Sequence, residues 1–177
     1  MKKKVFLSMV VVIFVLCCAV GGTLAWLTDK TDSVTNTFTV GDINITLAET
    51  TSDYKMVPGN TIAKDPKVTV KAGSEACWLF VKVVKSSNFG AFMTYEMADG
   101  WTALTGSDGV FYREVAAAAT EAEFAVLKND QVKVLDSVTK EMLTGQGFTA
   151  PTLTFTAYAV QKDNIATAAE AWAKVTS

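Results

Sequence analysis

From Val34 to Leu47 the chain alternates between apolar and polar positions. Val34, Phe38 and Val40 share one face with Asn36, while Thr35, Thr37 and Thr39 take the other. After the break at Gly41-Asp42, Ile43, Ile45 and Leu47 alternate with Asn44 and Thr46. A period of two predicts strands with one wet face. Val68 and Val70 alternate likewise with Lys67, Thr69 and Lys71. Pro58-Gly59-Asn60 predicts a turn, because proline presets φ and glycine accepts the positive φ that follows. Ala72-Gly73-Ser74 turns the chain into Cys77 to Val84, an apolar run suited to a central strand. Further strands are expected at Phe92 to Met97, Val110 to Arg113, Glu123 to Leu127, Val132 to Leu135 and Leu153 to Val160. Short runs at turn-bounded spacing predict an all-β antiparallel sandwich with one or two short helices, not a Rossmann-type sheet.

One helix is expected over Val138 to Thr144, capped by Ser137 and ended by Gly145. A second follows from Ile165, Ala168, Ala169, Trp172 and Val175, an apolar stripe at helical spacing that can lie over one end of the sandwich. Its only basic residue is Lys174, which does not suit a membrane-surface helix. The run Ala116 to Ala119 is too short to form a helix alone and reads as loop.

The amino terminus follows another pattern. Val5 to Thr28 is a stretch of 24 uncharged residues preceded by Lys2, Lys3 and Lys4. Lysines, an apolar run to Val20, Gly21-Gly22 and then small residues are the layout of a secretion signal helix. Thr23 and Ala25 occupy the two positions that a signal peptidase must admit, which places the cut before Trp26. The expected organisation is a signal over 1–25 and a single β-sandwich domain over 26–177. Retention as an anchor is the competing reading, since about 20 apolar residues span a bilayer. Cleavage leaves 152 residues carrying 13 basic and 18 acidic side chains, a net charge of −5. That balance argues against nucleic acid or anionic membranes as partners.

Composition narrows the chemistry further. The chain has no histidine, which excludes two-histidine zinc sites, Ser-His-Asp catalysis and Cys-His catalysis. No glycine-rich phosphate loop is present. Cys17 and Cys18 fall in the signal, so the mature chain holds only Cys77, which reads as a small buried hydrophobe. Asp29, Asp32, Asp99, Asp108, Glu121 and Glu123 are the carboxylates to weigh as an acid–base pair or a calcium loop. Their setting among Gly, Ser and Thr points instead to turn formation and solvation. Trp78, Trp101 and Trp172 would serve a glycan platform if exposed and coplanar, and otherwise pack in the core. No catalytic, cofactor or metal residue is assigned.

The residues Gly21-Gly22-Thr23-Leu24-Ala25-Trp26-Leu27-Thr28-Asp29 and Asn36-Thr37-Phe38-Thr39-Val40-Gly41-Asp42-Ile43 resemble the SipW-dependent signal and mature amino terminus of the TasA/camelysin family in Gram-positive bacteria. Met56-Val57-Pro58-Gly59-Asn60, Lys64-Asp65-Pro66 and Leu153 to Val160 fit the same pattern. The resemblance implies processing by a dedicated signal peptidase, a jelly-roll-like sandwich and a role as a secreted biofilm-matrix or cell-surface fibre subunit. It also implies self-association, with the segment 26–40 donated as a strand to the next copy through Val34, Phe38 and Val40, and other matrix components as further partners. Two alternatives stand beside it: that Val34 to Val40 is an ordinary edge strand of its own domain, and that the protein is a monomeric surface adhesin. Camelysin-type members are described as metalloendopeptidases, but without histidine or an HExxH helix this chain offers no zinc ligand set, and no enzyme activity or cofactor is expected.

Overall fold

The computed structural model describes residues 42–50 and 55–176. The signal segment, the cleavage residues Thr23, Ala25 and Trp26, and the strand expected at Val34, Phe38 and Val40 lie outside the described residues. Ten strands are seen: β1 (Ile45–Ala48), β2 (Thr61–Ala63), β3 (Lys67–Val70), β4 (Cys77–Lys85), β5 (Met93–Thr94), β6 (Thr102–Ala103), β7 (Val110–Val115), β8 (Ala122–Ala125), β9 (Gln131–Val134) and β10 (Leu153–Gln161). Among the described residues three short α-helices accompany them, α1 (Phe89–Phe92), α2 (Lys140–Thr144) and α3 (Ala168–Val175), with one 3-10 turn at Lys128–Asp130. Among the described residues every ladder is antiparallel, as the alternation predicts. The strands divide among three sheets, ordered β1-β3-β8, β10-β4-β7-β6 and β2-β9-β5.

The central strand shows why its sequence does not alternate. Cys77, Leu79, Val81 and Val83 of β4 pack with Val68 and Val70 of β3 and with Val115 and Val126 in the main core. Trp78 and Phe80 point the other way and meet Ala168, Ala171 and Trp172 of α3. With both faces covered, β4 reads as a continuous apolar run. Trp172 packs against Phe80 (ring centroids 5.2 Å apart) and edge-on against Tyr158 (5.3 Å). A third cluster of Phe89, Leu127 and Val132 sits under the small β2-β9-β5 sheet.

Turn chemistry sets the corners. Gly59 takes φ +74° and Asn60 N–H donates to Val57 O (3.1 Å), as Pro58-Gly59-Asn60 predicts. Gly109 is required by space as well as by φ (+71°): a Cβ there would lie 2.3 Å from Val83 O.

Three expectations are corrected. The strand expected from Phe92 to Met97 is broken: Ser86 Oγ donates to Asn88 Oδ1 (2.6 Å), Phe89 N–H closes a turn on Ser86 O (3.0 Å), and Phe89 to Phe92 form α1. Only Met93–Thr94 and an isolated bridge from Met97 to Leu127 remain extended. The cap of α2 is Thr139, whose Oγ1 accepts from Met142 N–H (3.3 Å), and not Ser137. Val138 is 3% exposed and packed inward, so the helix starts only after it. In α3 the buried positions are Ala168, Ala171 and Trp172, while Ile165 precedes the helix and Ala169 is exposed. Thr167 and Glu170 form a capping box that fixes this start. β2 and β6 have no counterpart among the predicted elements.

Candidate functional site

Polar chemistry comes first. Among the described residues no three His, Cys, Asp or Glu side chains gather where they could hold a metal ion. Glu121 pairs with Lys71 (2.9 Å) and Glu123 with Lys67 (3.0 Å) across β3 and β8. Asp99 and Asp108 are exposed in turns, as expected of turn formers; Asp29 and Asp32 lie outside the described residues. Cys77 is fully buried and its thiol is pushed up to about 11 by burial, which leaves no thiolate for catalysis at neutral pH. Trp78 and Trp172 are core residues, at 8% and 9% exposed. Trp101 is half-buried, and its indole N–H donates to Ala125 O (2.8 Å). The three tryptophans therefore form no coplanar exposed platform.

What distinguishes the surface is the contrast between sheet edges. At the two ends of the β4–β10 ladder, Ser86 N–H donates to Thr152 O (3.0 Å) and Lys162 N–H donates to Ala76 O (2.8 Å). Bonded and non-bonded pairs alternate along an antiparallel ladder. The even-numbered residues of β10 therefore bond β4, and Leu153, Phe155, Ala157, Ala159 and Gln161 turn N–H and C=O away from it. β10 is the edge strand of its sheet among the described residues. It is nine residues long and carries no charge or proline of its own, but Lys64, paired with Glu49, lies over the Phe155 ring with its Nζ 5.5 Å from the centroid, so a charge flanks this edge as well.

The core beneath this edge is incompletely covered. On β4 the inner-face residues Cys77, Leu79 and Val81 are 0% exposed and Val83 is 4%. On β10 the corresponding Leu153, Phe155, Ala157 and Ala159 pack against the same cluster but are only half-buried. At the Leu153 end, a groove of about 570 Å³ is lined by Met56, Ile62, Phe89, Met93 and Val132 among others.

The edge of β8 is the counter-example. Val126 N–H donates to Pro66 O (2.9 Å), so by the same alternation Glu123 and Ala125 face away from β3. The outward carbonyl of Ala125 is taken by Trp101, and the Lys67–Glu123 and Lys71–Glu121 pairs flank the strand. Arg113 completes the plug, with its guanidinium carbon 3.9 Å from the Phe124 ring centroid and 5.4 Å from that of Trp101. Neither Trp101 nor Arg113 is singled out for this role by the sequence pattern, because capping an edge leaves no periodic signal.

Residues 1–77 of the chain match the family model described as camelysin metallo-endopeptidase. Neither a curated protein nor a solved structure matches the chain.

Proposed function

We propose that this chain, whose residues 1–77 match the camelysin metallo-endopeptidase family model, is a secreted matrix or cell-surface fibre subunit of the TasA/camelysin kind. It assembles by donating its amino-terminal strand, Trp26 to Val40, to a neighbouring copy. The observation that supports this most is the half-buried inner face of β10 beside an edge whose own residues carry no charge or proline. An added strand would cover Leu153 and Phe155 and satisfy the outward backbone groups. Fully burying an exposed side chain of this size contributes about 1.5–3 kcal/mol, so completing a half-buried one contributes on the order of 1 kcal/mol. Extended segments use this kind of edge pairing for recognition, with main-chain hydrogen bonds giving affinity and alternate side chains giving specificity. Signal removal before Trp26 would free the strand and so act as the trigger for assembly.

The family description names a metallo-endopeptidase, and the donor set here does not fit one. The chain has no histidine, and among the described residues the carboxylates are dispersed or held by lysines. No peptidase step is derived. Among the described residues no helix is long and apolar enough to cross a membrane, and the family is one of extracellular or cell-surface proteins.

The test is electron microscopy with sedimentation on the chain beginning at Trp26, beside a chain lacking Trp26 to Val40. Filaments from the first and none from the second are expected. Soluble monomers from both, across concentration and pH, would remove the fibre reading in favour of a monomeric binding module.

A further inference from the structure

We infer that the cleft between the end of α2 and the turn at Ser86 to Asn88 is a binding site for a neutral glycan, with Phe148 as the platform on which a sugar ring stacks. This goes beyond the assembly reading and does not depend on it.

The ring comes first. Phe148 is 38% exposed, and it is the one exposed aromatic side chain among the described residues. A local turn holds it there. Gly147 takes φ +89°, a left-handed conformation that a β-carbon disfavours, and Phe148 N–H donates to Gly145 O (3.1 Å). The ring then meets Phe92 edge-on, with centroids 5.6 Å apart and planes at 79°. A contact of that kind uses at most one face of Phe148. The other is left to solvent, at the wall of an open cleft of about 660 Å³.

The walls are fixed before any ligand arrives. Ser86 N–H donates to Thr152 O (3.0 Å), and Ser86 Oγ accepts from Thr152 N–H (2.9 Å). Asn88 Nδ2 donates to Thr149 O (2.8 Å), and Asn88 Oδ1 accepts from Ser86 Oγ (2.6 Å). These four bonds tie the segment that follows α2 to the turn that precedes α1. Walls held in this way lower the ordering cost of binding, which matters most for a ligand with no strong anchor of its own.

The lining selects the class of ligand. Ser87 and Gln146 are exposed at the cleft, where a hydroxyl and an amide can each donate and accept. Among the described residues that line it, only Glu141 is charged. Its carboxyl is held below the usual range by its own backbone N–H and by the Thr139 hydroxyl, so it is ionised at neutral pH. An acidic polymer would meet that carboxylate with no lining lysine or arginine to offset it. A wholly apolar partner would strand the hydroxyl and amide groups it covers. A neutral hexose fits both constraints: C–H bonds on one face rest on the negative face of an aromatic ring, and hydroxyls around its rim meet amides and hydroxyls. The volume lies within the roughly 300–1,000 Å³ of small-molecule sites.

The experiment uses the chain from Trp26 and reads fluorescence anisotropy, which follows bound probe on monomers and filaments alike. The probes are end-labelled hexasaccharides of glucose, mannose, galactose and N-acetylglucosamine. Labelled hexagalacturonate is the acidic control, and a labelled peptide alternating leucine with serine stands for a protein partner. At least one neutral oligomer should bind at millimolar concentration, with hexagalacturonate about tenfold weaker or worse. Phe148→Ala should weaken binding by about tenfold, as truncation of an aromatic anchor does, and Phe148→Tyr should retain it. Phe148 is exposed, so both variants should melt with the parent by circular dichroism. If Phe148→Ala does not, Gln146→Ala, outside the core, should still weaken binding by about threefold.

No binding of any neutral oligomer at millimolar concentration would overturn the inference. So would binding that survives both Phe148→Ala and Gln146→Ala, which puts the sugar elsewhere, or hexagalacturonate binding as tightly as the neutral probes. Peptide bound in place of every sugar, and lost in Phe148→Ala, would make the cleft a protein-docking surface and overturn it as well. Filaments in the sedimentation assay, or their absence, change none of these outcomes.

Discussion

Arg113 stands at a core-facing position, and replacing it measures what an arginine is doing there. It is the register partner of Leu79 on β4, and its flanking inward neighbours Phe111 and Val115 belong to the main core. Two effects oppose one another. Its guanidinium lies 3.9 Å from the Phe124 centroid and more loosely, at 5.4 Å, over Trp101. Cation–π contacts of this kind contribute about 0.5–2 kcal/mol, the upper end when desolvated. Against that, the Nε atom is buried without a hydrogen-bond partner, which costs about 1–3 kcal/mol. Burial also holds the guanidinium below its usual pKa, in keeping with the desolvation. The terms nearly cancel. Arg113→Met keeps the length and gives a sulfur–aromatic contact, so it is expected to stay within about 1 kcal/mol of the parent. Arg113→Ala instead leaves a gap between two rings and is expected to lose about 2–4 kcal/mol. Urea unfolding followed by tryptophan fluorescence, with unchanged m-values, reads both numbers. A methionine variant that loses more than about 3 kcal/mol would refute this balance, because only a guanidinium with a buried partner is worth that much.

Other expectations follow from the packing. Trp172→Ala removes the residue that joins α3 to Phe80 and Tyr158, and should lower the unfolding free energy by about 3–5 kcal/mol; a loss below about 1 kcal/mol would mean that α3 is not docked in solution. Thr139→Ala should cost about 1 kcal/mol by loss of the α2 cap, and Ser137→Ala almost nothing; calorimetry of the two reverses the assignment if the order is opposite. The Cys77 thiol, held at about 11 by burial against an ordinary value of 9.0, binds its proton more tightly in the folded chain than in the unfolded one. Its stabilising contribution is therefore complete below pH 9 and disappears as the pH rises towards 11. Alkaline titration of the unfolding midpoint should show this loss, flattened in Cys77→Ala, and thiol reagents should label the native chain only slowly at pH 8.

The period-two pattern made most of the sheet legible before any coordinates. Ile45, Leu47, Val68, Val70 and the run from Leu153 to Val160 fall in strands where alternation places them. The uninterrupted run at β4 is legible for a different reason: it is covered on one face by β3 and on the other by α3. What escaped were features too short to have a period. β2 and β6 contain three and two residues, held by their neighbours more than by their own pattern. The end of the expected strand at Phe92 yields to a local turn at Ser86 to Asn88 that competes with extension. The start of α3 was readable: Thr167-Ala168-Ala169-Glu170 is a capping box, and it would have moved the helix past Ile165. For the candidate site, the apolar-threonine alternation of Leu153 to Val160 was visible, but its place at an edge was not. Edge position depends on which strands pair, and that is set by distant registers rather than by the strand itself.

Residue-resolved hydrogen exchange on β10, in the monomer and in the assembled form, tests the central claim most directly. In the monomer the amides of Thr154, Thr156 and Tyr158, bonded to β4, should exchange slowly, while those of Phe155, Ala157 and Ala159 exchange fast. On assembly the second set should become as slow as the first. If Phe155, Ala157 and Ala159 are already protected in the monomer, or stay fast in the filament, the free edge of β10 is not where one copy receives the next.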